Sequence, residues 1–295
     1  MRIPDQFHFV FGLRKSPQPF HLAHYLALES CRLVNQPQRM VFHYRYEPFG
    51  ALWDFIKPHL ELRRVADPPE WLRSYGYRDR LVKRYRYAHE ADLIRLRALY
   101  DEGGVYADMD TLFIRRASPR LWDESCVLGQ ERPVWVDRIR EHRGALCNAV
   151  IMAEPEAPLV GAWLREFRAE YDGSWSRHSC ELARDLADRH PQMLSVEPSD
   201  SFYPFMWDRR DFQRLFEGLH LSGLESSCSI HLWAHLWWHR GRCEWSRFHG
   251  GMLNADYILN EETTFARLAR PFMPPVEIIK RDSIWSRTVA RLWPV

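Results

Sequence analysis

Long apolar runs, paired cysteines and an excess of charge of one sign are all missing from this chain of 295 residues. No apolar stretch approaches the roughly 18–20 residues that a membrane span needs, so a spanning helix is not expected. The six cysteines, at 31, 126, 147, 180, 228 and 243, form no CxxC pair, which argues against a structural zinc ribbon. The opening Met1-Arg2-Ile3-Pro4-Asp5 lacks the charged-then-apolar build of a secretory leader. Free thiols in a reducing compartment, and a cytoplasmic location, are the expectation. Lys+Arg total 41 against Asp+Glu 39, a formal net charge of +2. The strongly basic face of a duplex binder is absent, and no nucleic-acid partner is expected. There is no internal repeat and no low-complexity linker. Hydrophobic residues at 46% and charged residues at 27% exclude disordered, collagen-like and coiled-coil chains.

What is present is a chain long enough for one large domain or two modest ones, with 13 Trp and aromatics at 14%. Such rings stack on sugars and bases, or simply fill cores. Short apolar strands are predicted at 7–12, 41–44, 60–65 and 145–153, and helices at 19–34, 48–57, 88–101, 157–171 and 179–189. Strand–helix alternation of this kind predicts an α/β fold with a mostly parallel sheet flanked by helices. Gly103-Gly104 stops the helix over 88–101, and the chain then enters a strand candidate at 105–114 that two carboxylates interrupt. From about 190 the pattern turns irregular and rich in Trp, Pro and His. One domain over 1–240 with a C-terminal extension over 241–295 packed on it is expected.

The chemistry concentrates between Arg86 and Asp110. Asp108 and Asp110 stand two apart, so on extended backbone they point to the same side. Adjacent carboxylates on an apolar strand repel each other and are costly to bury. A divalent cation relieves that cost, and hard oxygen ligands suit Mg2+ or Mn2+, which bridge carboxylates to substrate phosphates. A bare DxD is most often only a solvated turn. Here, however, Asp92 and Arg95 share one face of the preceding helix, and that helix runs through the Gly-Gly turn straight into the acid pair. The set places an acid, a cation, a tyrosine (Tyr106) and two metal-binding acids around one loop.

The stretch Arg86-Tyr87-Ala88-His89-Glu90-Ala91-Asp92-Leu93-Ile94-Arg95, continuing to Tyr100-Asp101-Glu102-Gly103-Gly104-Val105-Tyr106-Ala107-Asp108-Met109-Asp110, resembles the DxD sugar-binding region shared by family 32 glycosyltransferases and the large clostridial glucosylating toxins. Those proteins carry Arg-Tyr-Ala-x-x-Ser-Asp-x-x-Arg, then Leu-Tyr-x-x-Gly-Gly-x-Tyr-x-Asp-x-Asp. Ala91 replaces the usual Ser and removes one hydroxyl. Two weaker echoes lie outside this region. Phe7-His8-Phe9-Val10-Phe11-Gly12 is similar to the family's first strand, with Phe11 where a Trp stacks on the nucleobase; a core aromatic is the alternative. Ile230-His231-Leu232-Trp233-Ala234-His235-Leu236-Trp237-Trp238 resembles the stretch that closes over diphosphate and metal, which makes His231, Trp233 and Trp237 candidate lid contacts. His235-Leu236 departs from the usual small pair there. Without the family, His231, His235 and His239 could form a metal face on a helix. Asn148 matches a recurring Asn ahead of a strand and is a donor-sugar or acceptor contact, or else a turn residue.

The resemblance implies a GT-A-like fold and a metal-dependent, retaining hexosyl transfer from a nucleoside diphosphate sugar to an acceptor hydroxyl, in a setting such as polysaccharide biosynthesis. UDP-sugar is the first expectation and GDP-mannose the second. Asp108 and Asp110 would hold Mn2+ or Mg2+, His231 would reach the leaving group, and Phe11, Asp92, Arg95, Tyr106, Asn148, Trp233 and Trp237 would line the donor. The acceptor is a glycan, a lipid-linked sugar or a protein. The alternatives are a sugar- or nucleotide-binding protein without catalysis and a metal-dependent hydrolase. At the C-terminus, Trp285, Val289, Leu292 and Trp293 fall on one helical stripe with Lys280, Arg281, Arg287 and Arg291 nearby. Residues 280–295 thus fit either packing on the catalytic domain or a peripheral contact with an anionic inner-membrane surface.

Overall fold

The strand segments assemble side by side because most of them bury both faces. The computed structural model describes residues 2–16, 18–133, 135–136, 140–141, 145–234 and 253–282. Strands β1 (Gln6–Val10), β2 (Arg39–Tyr44) and β3 (Glu61–Arg64) lie parallel in that order, and β4 (Gly104–Ala107) pairs parallel with the other side of β1. After β5 (Thr111–Phe113), which leaves this sheet, β6 (Cys126–Gln130), β7 (Leu146–Ala153) and β8 (Ser195–Glu197) complete a seven-stranded sheet of order β8-β6-β7-β4-β1-β2-β3. β7 pairs antiparallel with both β4 and β6, and β8 pairs parallel with β6. Every strand of the sheet but β7 therefore runs the same way, the mostly parallel α/β layout that the alternation predicts.

Alternation along the strands sorts side chains into two layers. Phe7, Phe9, Val105, Ala107 and Val127 enter one apolar cluster, and Val10, Tyr106 and Leu128 the other. Helix α1 (Leu22–Asn35) covers the first face with Leu26 and Leu28. Helices α2 (Arg86–Glu102), α3 (Pro158–Phe167) and α4 (Leu182–Arg189) cover the second, through Leu96 and Leu99, Val160 and Trp163, Leu182 and Leu186. Residues beyond the sheet join the first layer. Tyr257, Phe265 and Ala266 lie in its core, and the Tyr257 hydroxyl donates to the Phe216 carbonyl at 2.8 Å.

The hinge between α2 and β4 leaves no room for a side chain. Gly103 and Gly104 have φ of +66° and +105°, and a Cβ on either would stand 2.6 Å from Pro155 Cδ or the Gln6 carbonyl oxygen. Only glycine combines that conformation with that approach.

Two expectations change. The single strand over 105–114 is two strands in different sheets. The Thr111 amide donates to the Asp108 carbonyl at 3.0 Å, closing a turn, and β5 then pairs antiparallel with β9 (Ser229–His231). The segment after 190 is not irregular: it holds β8, helix α5 (Arg209–Phe216) and β9. These elements are short and separated by Pro and turns, so no run was long enough to show a period. Residues 283–295, with the whole apolar stripe Trp285, Val289, Leu292 and Trp293, lie outside the described residues, as do His235, Trp237 and His239. Among the described residues no helix is long and apolar enough to cross a membrane, and Cys31, Cys126, Cys147, Cys180 and Cys228 are free thiols.

A buried imidazole pair ties β1 to β2. His8 Nε2 donates to the Gly103 carbonyl at 2.9 Å, which leaves His8 Nδ1 to accept from His43 Nε2 at 3.1 Å. Both rings are neutral in this arrangement. Burial, then the neighbouring His8 and Arg63, push His43 down to about 3, and burial lowers His8. The folded state refuses protons that the unfolded chain takes up near pH 6.5, so the stability is present above that pH and is lost as pH falls from 6.5 toward 3. Urea unfolding at pH 7 and pH 5 should show His43 alone contributing a loss of about 2 kcal/mol. His43→Gln should shrink the pH 7 to 5 difference by about that amount, and an unchanged difference would refute the pairing.

Candidate active site

The turn at Asp108 sits where β4 ends, beside the end of β1 and the start of β7. This is the edge of an open α/β sheet at which ligands commonly bind. The Asp108 amide donates to the Ala149 carbonyl at 2.8 Å, which fastens the turn to β7. The two acids are brought together by this turn and not by extended backbone, so the same-side argument from spacing is replaced by a better one. Antiparallel pairing of β9 on β5 sets His231 opposite Thr111. His231 Nε2 lies 3.1 Å from Asp110 Oδ1 and 3.8 Å from Asp108 Oδ2. The chain just after it closes on Asp110: the Leu232 amide donates to the Asp110 carbonyl at 2.9 Å and the Ala234 amide to Asp110 Oδ2 at 2.7 Å. Asp108, Asp110 and His231 each offer a ligand atom, all within 4.8 Å of one another.

Arg95 is the cation of this cluster. It is 5% exposed. Its guanidinium reaches Asp92 Oδ1 at 3.0 Å, Asp108 Oδ1 at 3.2 Å and the Asn148 carbonyl at 2.6 Å, and it lies over the Tyr106 ring at 4.3 Å. Burial opposes the charge, but Asp108, Tyr106 and Asp92 hold Arg95 above its ordinary value. The Tyr106 hydroxyl donates to Asp108 Oδ1 at 2.6 Å. The Asn148 side-chain amide donates to Asp92 Oδ1 at 2.8 Å. Asp92, Arg95, Tyr106, Asp108, Asp110, Asn148 and His231 thus form one connected network.

Electrostatics divides the acids by role. Burial raises Asp92, yet Arg95 and His178 outweigh it and keep it an ionised carboxylate. Asp108 goes the other way: burial raises it, Arg95 opposes, and the Asp110 charge pushes it up again. Burial would also discharge His231, but the facing Asp110 raises it. Asp108 and Asp110 therefore repel each other, and Arg95 and His231 offset only part of that cost. A hard divalent cation relieves that strain, so the donor set fits Mn2+ or Mg2+.

Phe11 and Trp233 border the network differently. Phe11 is half-buried, with its ring 4.6 Å from His24 and edge-on to Phe20 at 5.4 Å. Trp233 is buried under His231, ring centroids 4.2 Å apart, with its indole N–H donated to the Phe205 carbonyl at 3.0 Å. It is a fixed wall. Its φ of 53° is the left-handed backbone that lets the next amide turn back to Asp110. Sequence reasoning missed His178 and Cys180. His178 Nε2 meets Asp92 Oδ2 at 3.2 Å, and Cys180 Sγ meets Asn148 Oδ1 at 3.6 Å. Both come from a single turn far along the chain, and a lone His or Cys there carries no local pattern.

Residues 43–128, from β2 into β6, match the family model for the glycosyltransferase sugar-binding region containing DXD motif. Among related proteins, Glucan organizing enzyme 1 of Cryptococcus neoformans var. grubii serotype A is 29% identical over 283 residues, which is 93% of this chain and 72% of that one. Among solved structures, PaToxG Glycosyltransferase is similar at TM-score 0.41 and 14% identity, over 64% of this chain and 70% of that chain. A glycosyltransferase involved in the glycosylation of the major capsid of PBCV-1 is similar at TM-score 0.39 and 9% identity, over 78% and 93%. The matched region holds Asp92, Arg95, Tyr106, Asp108 and Asp110, and through it the chain is similar to the DXD glycosyltransferases, which are transferase enzymes.

Burial of Arg95 fixes what its loss would do. Arg95→Ala strands the Asp92 and Asp108 carboxylates away from their cation. Chemical denaturation should show a loss of about 3–5 kcal/mol, the scale of breaking a buried pair from one side. Arg95→Lys should recover only part of it, since a point charge cannot span Asp92, Asp108 and a carbonyl together. A loss below about 1 kcal/mol would mean an ordinary surface pair instead.

Proposed function

We propose that this enzyme transfers a hexose from a nucleoside diphosphate sugar to an acceptor hydroxyl, with Mn2+ or Mg2+ held by Asp108 and Asp110 and with retention of anomeric configuration. The observation that carries the reading is the Asp108–Asp110–His231 cluster at the sheet edge, whose two acids lie inside the region that matches the DXD family model. UDP-sugar is the first choice of donor and GDP-mannose the second, on the family resemblance. The name of the Cryptococcus relative refers to glucan, which supports polysaccharide biosynthesis as the setting.

As the glycosidic bond breaks, negative charge grows on the diphosphate and positive character on the anomeric carbon. A bound divalent cation supplies Lewis-acid neutralisation of that leaving group. The protein's own part is orientation and charge. Arg95 and Tyr106 hold Asp108 from one side, and the Ala234 amide and His231 hold Asp110 from the other, so both carboxylates are set before ligand arrives. His231, raised by Asp110, donates toward the acids and toward any phosphate oxygen beside them. Asp92, kept ionised, accepts from a sugar hydroxyl. A front-face route, in which the departing diphosphate oxygen takes the acceptor's proton, uses no protein nucleophile and accords with retention. His231 turns to the acid pair, and His235 and His239, on which the hydrolase reading also depends, lie outside the described residues.

Calorimetry with UDP and Mn2+, against Zn2+ alone, tests the reading. The expected result is Mn2+-dependent UDP binding. Asp108→Asn should abolish it, together with slow hydrolysis of the donor, and should leave stability in the absence of metal undiminished. The substitution removes the repulsion with Asp110 and keeps an acceptor for Tyr106 and Arg95. Undiminished Mn2+-dependent turnover in Asp108→Asn would overturn the metal assignment.

A further inference from the structure

Asp92 is served by a piece of backbone that the transfer reaction does not itself call for. Residues Arg177–Glu181 form a π-helical turn that runs directly into α4, with the Leu182 amide bonded back to the Arg177 and Ser179 carbonyls. Turns of this width are rare and recur at functional sites. This one sends two side chains inward. His178 has no exposed surface, and Cys180 is half-buried.

The His178 ring is held on every side. Its backbone carbonyl accepts from the Trp163 indole at 2.9 Å, and its ring lies 4.4 Å from His89, 4.6 Å from Tyr171 and 5.0 Å from Phe167. Rotation is blocked, so Nε2 stays on Asp92 Oδ2. Since Asp92 is a carboxylate, Nε2 carries the proton and donates it. Cys180 acts through an intermediary. Its thiol donates to Asn148 Oδ1, which orients the amide so that Nδ2 donates to Asp92 Oδ1. The Arg95 guanidinium stands 3.0 Å from that same oxygen as its counter-charge. A carboxylate offers about four acceptor positions. His178 takes one of the two positions on Oδ2, so one acceptor position remains on that oxygen.

We infer that the π-helical turn Arg177–Glu181 is a positioning element for the donor sugar: His178 directly, and Cys180 through Asn148, fix the Asp92 carboxylate so that one acceptor position on Oδ2 is kept for a sugar hydroxyl. The inference rests on the reading of this site as a nucleotide-sugar site, and it adds two residues outside the DXD region to the determinants of sugar recognition. It separates the two halves of the donor. The nucleoside diphosphate is served by the acid pair and His231, and the hexose by Asp92 and the turn behind it.

The test is calorimetry with Mn2+ and four probes, UDP, UDP-glucose, GDP and GDP-mannose, on the full chain. His178→Leu should lower the affinity for the recognised nucleotide sugar about tenfold or more, one hydrogen bond to a charged group. It should leave the matching nucleoside diphosphate within about twofold, a difference too small to count as a lost contact. His178→Gln, whose Nε2 reaches the same place, should restore sugar-dependent binding to within about threefold, and Cys180→Ala should cost a smaller, sugar-dependent loss. Equal losses for nucleotide and nucleotide sugar, or none for either, would overturn the positioning role. If His178→Leu does not fold, Cys180→Ala decides, and wild-type affinity for the nucleotide sugar in that variant rejects the inference. Wild-type protein that binds none of the four probes would reject the transferase reading itself, and the inference with it.

Discussion

Two half-buried carboxylates at the end of one strand, and a buried guanidinium facing them, set the terms for the rest of this molecule. Asp108 and Asp110 repel each other, and burial makes the repulsion worse. Arg95 is the counterweight, and it reaches the pair only because α2 delivers it over the second face of the sheet. Much of the local architecture serves this encounter. The glycine pair at 103 and 104 brings the helix hard against Pro155 and Gln6 before the chain reverses into β4. The ladder of β4 with β7 then holds the end of the strand, and the β5–β9 ladder carries His231 to the open side of the acids. Removing any of these restraints would free the acids to separate into water, where they would lose their orientation toward a ligand.

Much of this was legible from residue order. The helix over Arg86–Glu102, the Gly-Gly stop and the acid pair are contiguous, so the text that specifies the sugar-binding region is also the text that folds it. The alternation of strand and helix through the first hundred residues likewise conveys the parallel sheet, because β1 and β2 are rich in apolar and aromatic residues and a helix follows each. What stayed hidden is non-local or short. The break at Asp108 depends on β9, more than a hundred residues away, claiming β5 as a partner. Nothing in 105–114 marks the split except the acids themselves. The burial of Arg95 was hidden for a related reason: an Asp–Arg pair three apart looks the same on an exposed helix as on a buried one.

The network also shows how unequal environments turn like groups to unlike uses. Asp92 and Asp108 both touch Arg95. Asp92 gains further donors from His178 and Asn148 and stays ionised, while Asp108 gains a like-charged neighbour and is driven the other way. One acid becomes a settled hydrogen-bond acceptor, and the other shares a cation while facing a like charge. The division is one of surroundings, since the side chains are identical.

The single reversed strand has a consequence for how such an enzyme can vary. Because β6 runs toward the site edge and β7 runs away from it, Gln130 and Leu146, the two ends of the connection between them, stand at the same sheet edge as Asp108 and Asp110. Both of its ends are clamped by the β6–β7 ladder. Lengthening it leaves the register of the ladder and the position of Asn148 untouched, and each doubling of a flexible loop costs only about 0.6 kcal/mol. The stem of that connection is not free to change, since buried Glu131 helps Asp110 to raise His231 and Arg132 pairs with buried Asp211. Inserted residues beyond the stem would add length at the sheet edge at small cost to the ladder that holds the acids.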